Sequence, residues 1–151
     1  MLYSEAIKVF YDKLGTHKIM ALAASVNDRV SVRNVSCINY NGKIFFKTDR
    51  EFRKTKQLLI NPHVALCCGG VQIEGVARNL GLVADEPEQV FANKYEEYWA
   101  VSYNAYPHKE SEILIEVTPL FVEIWDQDEH NNGFQIIIDT EMETAELVKY
   151  D

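Results

Sequence analysis

The chain is poor in the residues that build covalent or metal-held frameworks. It has three cysteines, Cys37, Cys67 and Cys68, and four histidines in 151 residues. An odd cysteine count, with Cys67 and Cys68 adjacent and so directed to opposite faces of any strand, argues against a disulfide framework and for a reducing compartment. No CxxC pair occurs, and His17, His63, His108 and His130 are scattered, which leaves no zinc-ligand spacing. Long apolar runs are missing too. Nothing approaches the roughly 20 residues that cross a bilayer, and the N-terminal MLYSEAIKVFYDKLG carries charges where a secretory leader would be apolar. A cytoplasmic protein without a membrane partner is expected.

Basic residues are also scarce. Fifteen Lys and Arg stand against 23 Asp and Glu, for a net charge of −8. With no Lys/Arg stripe interleaved with aromatics, nucleic acid is not an expected partner. Neither GxGxxG nor GxxxxGK[ST] occurs, so the two common phosphate loops are absent. No repeat, linker or low-complexity segment divides the chain, and its length suits one domain, 1–151, large enough to bury a core without staples.

What is present is a run of short strands broken by helices. Ser4 to Leu14 predicts a helix, capped by Ser4, with Ile7, Phe10 and Leu14 on one stripe and Gly15 as its stop. Strands follow at Lys18–Ala24 and, after an Asn27-Asp28 turn, from Val30 to Cys37. Asn41-Gly42, between Ile38–Tyr40 and Lys43–Phe46, predicts a tight hairpin because both residues tolerate positive φ. Glu51–Ile60 has helical spacing and ends at Asn61-Pro62. Strands at His63–Cys68 and Val71–Leu80 flank Gly69-Gly70. Pro87–Trp99 predicts a helix, Ser102–Lys109 a loop with Tyr103, Tyr106 and His108 as candidate pocket walls, and Ile113–Val117, Leu120–Trp125 and Phe134–Ile138 three more strands. The acidic tail residues Glu141, Glu143 and Glu146 are expected to be solvated. Mostly hairpin-joined strands with dispersed helices point to a mainly β, α+β fold: an antiparallel barrel of six to seven strands with three helices.

One stretch reverses the sign of the charge. Arg50, Arg53, Lys54 and Lys56 fall within seven residues. Thr48 at a strand end, with adjacent Arg53 and Lys54 opening the next helix, suits a phosphate monoester through charge-assisted hydrogen bonds. Cations at a helix start oppose its dipole and call for an anion, although such residues also simply solvate helices. Arg33, in mid-strand, is expected beside Thr48 on a neighbouring strand, where the two could share a ligand.

The segment VRNVSCINYNGKIFFKTDREFRKTKQLLINPHVALCC, with IEGVAR after it, resembles the FMN-binding half of the pyridoxamine 5'-phosphate oxidase family. The resemblance spans roughly Lys18 to Leu80 and rests on Thr48, Arg53-Lys54 and Asn61-Pro62. It implies an FMN-binding split barrel in which Arg33 and the backbone of Asn34, Val35 and Ser36 line the flavin. It further implies that Lys47 and Thr48 contact the ribityl-phosphate region and that Arg53 and Lys54 bind the phosphate. A second match, FVEIWDQ, is similar to the late strand whose Trp approaches the flavin from the other subunit. That names Trp125, which could equally be a packed indole. The family also implies a homodimer with FMN at the interface.

Departures fall where the oxidases hold their pyridoxal substrate. Gln127–Asn132 replaces an Arg-x-His element, and Ile38 stands where a Lys follows the flavin-lining Arg. Gly70 stands where a Gln precedes the VEG strand, and Asn34 where relatives often have Pro. The first two changes remove donors for a second phosphate. The expectation is therefore an FMN-dependent oxidoreductase acting on a small molecule other than pyridoxamine phosphate. The alternatives are a non-catalytic flavin or haem sensor, with His63, His108 and His130 as axial candidates, and a nitroimidazole-reductase-like enzyme.

Overall fold

A computed structural model describes residues 1–105 and 110–150 of the chain. Helix α1 (Tyr3–Leu14) precedes strands β1 (His17–Val26), β2 (Arg29–Tyr40) and β3 (Lys43–Asp49). Helix α2 (Arg53–Ile60) leads to β4 (His63–Cys68) and β5 (Val71–Leu82). Two 3-10 turns lead into α3 (Val90–Tyr98) and α4 (Ala100–Ala105), before β6 (Glu112–Gln127), β7 (Gly133–Asp139) and β8 (Thr144–Lys149). All pairings are antiparallel, in the order β3-β2-β1-β4-β5-β6-β7-β8, and β3 also pairs with β6. That last pairing closes six strands into a barrel and leaves β7 and β8 as an extension. The split barrel read from the sequence is the fold observed.

The barrel interior is filled by residues at alternate strand positions, among them Met20, Leu22, Phe46, Leu66, Ile73, Val122 and Ile124. Alternation is what places them there, because side chains two apart share a face. The α1 stripe differs slightly from expectation: Ala6, Phe10 and Leu14 are buried, the helix starts at Tyr3, and no side chain caps it. A smaller core of Ile38, Phe45, Val83, Phe91, Tyr95 and Leu114 forms between the outer wall and α3.

Four local expectations change. Pro119 does not divide two strands: β6 runs through it, and a register shift lets Gly75 face Pro119. The bulge accommodates a residue that cannot donate to a ladder, and Gly75 has no Cβ to strike Val117 Cγ1, only 2.7 Å from where one would stand. The helix expected from Pro87 starts at Val90, because Glu88 and Gln89 take left-handed backbone angles of 63° and 51° in φ. Ala100–Ala105 is helical where a loop was expected to begin. Finally, Thr144–Lys149 pairs with β7 as an edge strand, and its Glu146 stays exposed.

Candidate functional site

The barrel opens where β2 and β3 part. They pair only from Ile38↔Phe45 to Tyr40↔Lys43, and β3 then pairs with β6 through Asp49↔Glu112. Residues 33–37 of β2 therefore keep a strand partner only on the β1 side. At the edge of this opening the Cys37 carbonyl accepts from Trp99 Nε1 at 3.3 Å. The opening is a cleft of about 530 Å³ lined by Asn34, Val35, Ser36, Lys47, Thr48, Asp49, Phe52, Lys54, Tyr95 and Glu112. That is within the usual span of small-molecule sites, roughly 300–1,000 Å³.

Six of the nine residues named from the sequence thus line one cleft. Val35 is buried and on the core face with Cys37, so its contribution to the cleft is its main chain. Cys37 itself is buried, which pushes its thiol up to about 12 and leaves it a core residue.

Arg33 is the next residue along β2. It shares the core face with Val35 but lies beyond the packed interior, where α2 covers it. Its Nη2 donates to Ser31 Oγ at 2.8 Å and to Gln57 Oε1 at 2.9 Å, and Ser31 Oγ donates to the same Gln57 oxygen at 3.0 Å. Its Nη1 is buried with no hydrogen-bond partner. Among the described residues no carboxylate pairs with Arg33, Arg53 or Lys54. Burial, then the neighbouring Arg53 charge, holds the Arg33 guanidinium below its usual value. Burial, then Arg33, does the same to the Lys54 ammonium. Three cations are thus crowded together without an anion.

Helix α2 adds to this field. Its first turn has no acidic residue and no side-chain cap, so its leading N–H groups and the positive end of its dipole remain uncompensated. The Lys54 ammonium is 5.8 Å from the Phe52 ring. Phe52 itself, before the helix, is extended and exposed.

Thr48 and Lys47 show opposite directions along β3. Thr48 faces inward and is buried, its Oγ1 2.9 Å from Thr55 Oγ1. Thr55 donates to the Asp49 carbonyl at 2.6 Å. A hydroxyl has one proton, so Thr48 is the donor between the two threonines. Lys47 faces outward beneath α3 and pairs with Glu112 at 2.7 Å, both side chains about nine-tenths buried. Its ammonium is 4.7 Å from the Tyr95 ring, and burial raises the Tyr95 phenol above its ordinary value.

Trp125 does not meet these residues within one chain. It lines a separate pocket of about 290 Å³ with Lys13, Lys18, Cys68 and Gly70. Its indole is 45% exposed and stacks on Tyr150 at 4.9 Å. Of the haem-ligand candidates, His63 and His130 are exposed and outside the cleft, and His108 lies outside the described residues. Tyr106 does too, whereas Tyr103 packs against the smaller core.

Sequence reasoning missed Gln57, Phe52, Tyr95 and Glu112. Gln57 had a local signal, being one helical turn beyond Arg53 and so on its face. Glu112 had none, because only the β3–β6 pairing brings it diagonally across from Lys47.

Solved structures share this fold at low identity. PhzG from Burkholderia lata 383, in complex with tetrahydrophenazine-1-carboxylic acid, is 15% identical over 99% of this chain and 92% of its own, with a TM-score of 0.65. A pyridoxamine 5'-phosphate oxidase-related, FMN binding protein from Nostoc punctiforme PCC 73102 is 12% identical over 99% and 93%, at 0.58. A NimC/NimA family protein from Clostridium acetobutylicum is 17% identical over 99% and 95%, at 0.57. No curated protein sequence matches significantly. The family model described as pyridoxamine 5'-phosphate oxidase matches residues 4–126, a span containing the cleft, the cation cluster and Trp125, and the chain belongs to that family.

Proposed function

We propose that the chain is an FMN-dependent oxidoreductase that acts, as a homodimer, on a small molecule other than pyridoxamine phosphate. The observation that carries this reading is the cation cluster of Arg33, Arg53 and Lys54, with its orphaned Arg33 Nη1, at the uncapped start of α2. A partly buried charge without a counter-ion is costly, and a phosphate dianion would supply one to half-buried Arg33 and Lys54 and to exposed Arg53 together. Beside it, the unpaired edge of Asn34–Ser36 offers main-chain N–H and C=O groups to a ring that carries both donors and acceptors.

Bound FMN would supply hydride or electron transfer at its ring, leaving the chain to bind, orient and tune it. Arg33, Arg53 and Lys54 hold the phosphate, the β2 edge aligns the ring, and Phe52 and Tyr95 flank the cleft. The substrate reading follows from what replaces the pyridoxal contacts. Ile38 is fully buried in the smaller core and cannot meet a ligand. Asp128 closes its loop on itself by accepting from His130 N and Asn132 N, and it brings no cation to a second phosphate.

The homodimer is supported by an apolar face that runs into the cleft. On β2, Val30 and Val32 are 74% and 66% exposed, and Asn34 and Ser36 continue the same alternation to the cleft edge. A second copy covering Val30, Val32 and Ile19 would wall the cleft, which also accounts for Trp125 lying apart within one chain.

Two measurements test the reading. A desalted mixture with FMN should retain the flavin absorption doublet in the wild type and lose it in Arg53→Ala/Lys54→Ala; equal retention in both overturns the site. Light scattering should give twice the chain mass, and Val32→Glu should lower mass and FMN retention together. A wild-type monomer that binds FMN fully would remove the dimer from the proposal.

A further inference from the structure

The three hydrogen bonds among Ser31, Arg33 and Gln57 have only one consistent proton arrangement. Arg33 Nη2 can only donate, so the Gln57 atom facing it is the amide oxygen, and that oxygen also accepts from Ser31 Oγ. Both hydrogens of Nη2 are then used, one on Ser31 and one on Gln57, at 2.8 and 2.9 Å. The guanidinium plane is fixed, and Nη1 is left buried with its N–H groups unspent. The usual partner of a desolvated arginine is a carboxylate, which would hold it equally well but cancel its charge. A neutral amide holds it and leaves the charge in place. Gln57 is also one turn along α2 from Arg53, so it ties the β2 cation to the helix that carries the other two.

We infer that Gln57, with Ser31, is the positioning residue that presents Arg33 to the phosphate of the bound cofactor, and that its neutrality leaves the Arg33 charge available to that phosphate. This rests on the reading of the cation cluster as a phosphate site. Its benefit is preorganisation: an arginine already held in its binding geometry loses less side-chain freedom when the anion arrives.

The experiment compares dissociation constants for FMN and for riboflavin, which lacks the phosphate, in the wild type, Gln57→Leu, Gln57→Glu and Ser31→Ala. The riboflavin constant divided by the FMN constant reports the contribution of the phosphate alone. Gln57→Leu should lower the ratio about tenfold by releasing Arg33, and Ser31→Ala about threefold. Gln57→Glu is isosteric and keeps both acceptor contacts, so it folds as the wild type does. It should still lower the ratio about tenfold, because one cation is now neutralised. Riboflavin affinity of Gln57→Glu should stay at the wild-type value, and its melting temperature should be at or above that of the wild type. A glutamine without a positioning role would leave the ratio untouched in Gln57→Leu, which removes the contact without adding charge, and that result overturns the inference while leaving the phosphate site standing. A wild-type protein that binds riboflavin as tightly as FMN instead overturns the phosphate reading, and this inference with it.

Discussion

In and beside the cleft stand two groups of cations that the chain treats in opposite ways. Lys47, beneath α3, has Glu112 at 2.7 Å and the face of Tyr95. Arg33, Arg53 and Lys54, on the α2 side, have no carboxylate among the described residues. Both groups are within a few strand positions of each other, so the difference is one of assignment and not of available acid in a chain of net charge −8. A charge balanced within the protein stabilises the wall; a charge left unbalanced is completed by whatever binds. The first kind of cation should matter to folding and the second to ligand affinity.

The largest expected effect breaks that comparison at its two ends. Lys47→Met removes the cation 2.7 Å from the buried Glu112 carboxylate and should lower unfolding free energy by about 3 kcal/mol in urea titration. Arg33→Met removes a desolvated cation whose neighbours repel it, so the ligand-free protein should be as stable as the wild type or more so, while FMN affinity falls. If the two variants destabilise equally, the division between wall and site is wrong.

A pH profile sharpens the same point. In the ligand-free protein the Lys54 ammonium is held below its usual value, chiefly by burial and next by Arg33. The unfolded chain therefore keeps this proton to higher pH than the folded one, and folding stability should rise with pH through the alkaline window between the two values. FMN affinity should run the other way there, falling as Lys54 loses its charge. It should also fall below about pH 6, where a phosphate monoester becomes a monoanion. Lys54→Arg should abolish the alkaline limb and leave the acidic one, since a guanidinium stays charged throughout.

How much of this was legible in the sequence follows the range of the interactions. The Asn41-Gly42 turn takes the expected positive φ at both positions, and α2 ends at Asn61-Pro62 because the cause is one residue away. The Pro119 bulge was not legible, because Gly75 opposite it is 44 residues distant in sequence. Strand β8 was hidden by its composition: an edge strand with one solvated face needs few apolar residues, and Glu141, Glu143 and Glu146 read as surface. At the site, the cations stood out as a local sign reversal. Their lack of a carboxylate partner among the described residues was visible only in the fold, and the partner of Lys47 depends on β3 leaving β2 for β6.

The smallest effect concerns the residue between the two groups. Thr48 was expected to give the phosphate region a neutral donor, but its proton is committed to Thr55, whose own proton goes to the Asp49 carbonyl. Thr48→Val keeps the shape and removes that bond, so it should cost about 1 kcal/mol of stability. FMN affinity should scarcely change, in contrast to the loss in Arg53→Ala/Lys54→Ala. A large loss of FMN affinity in Thr48→Val would mean that the hydroxyl leaves Thr55 when the anion binds. Thr48 would then belong with the unbalanced cations and not with the wall, and the boundary between the two groups would run through β3 itself.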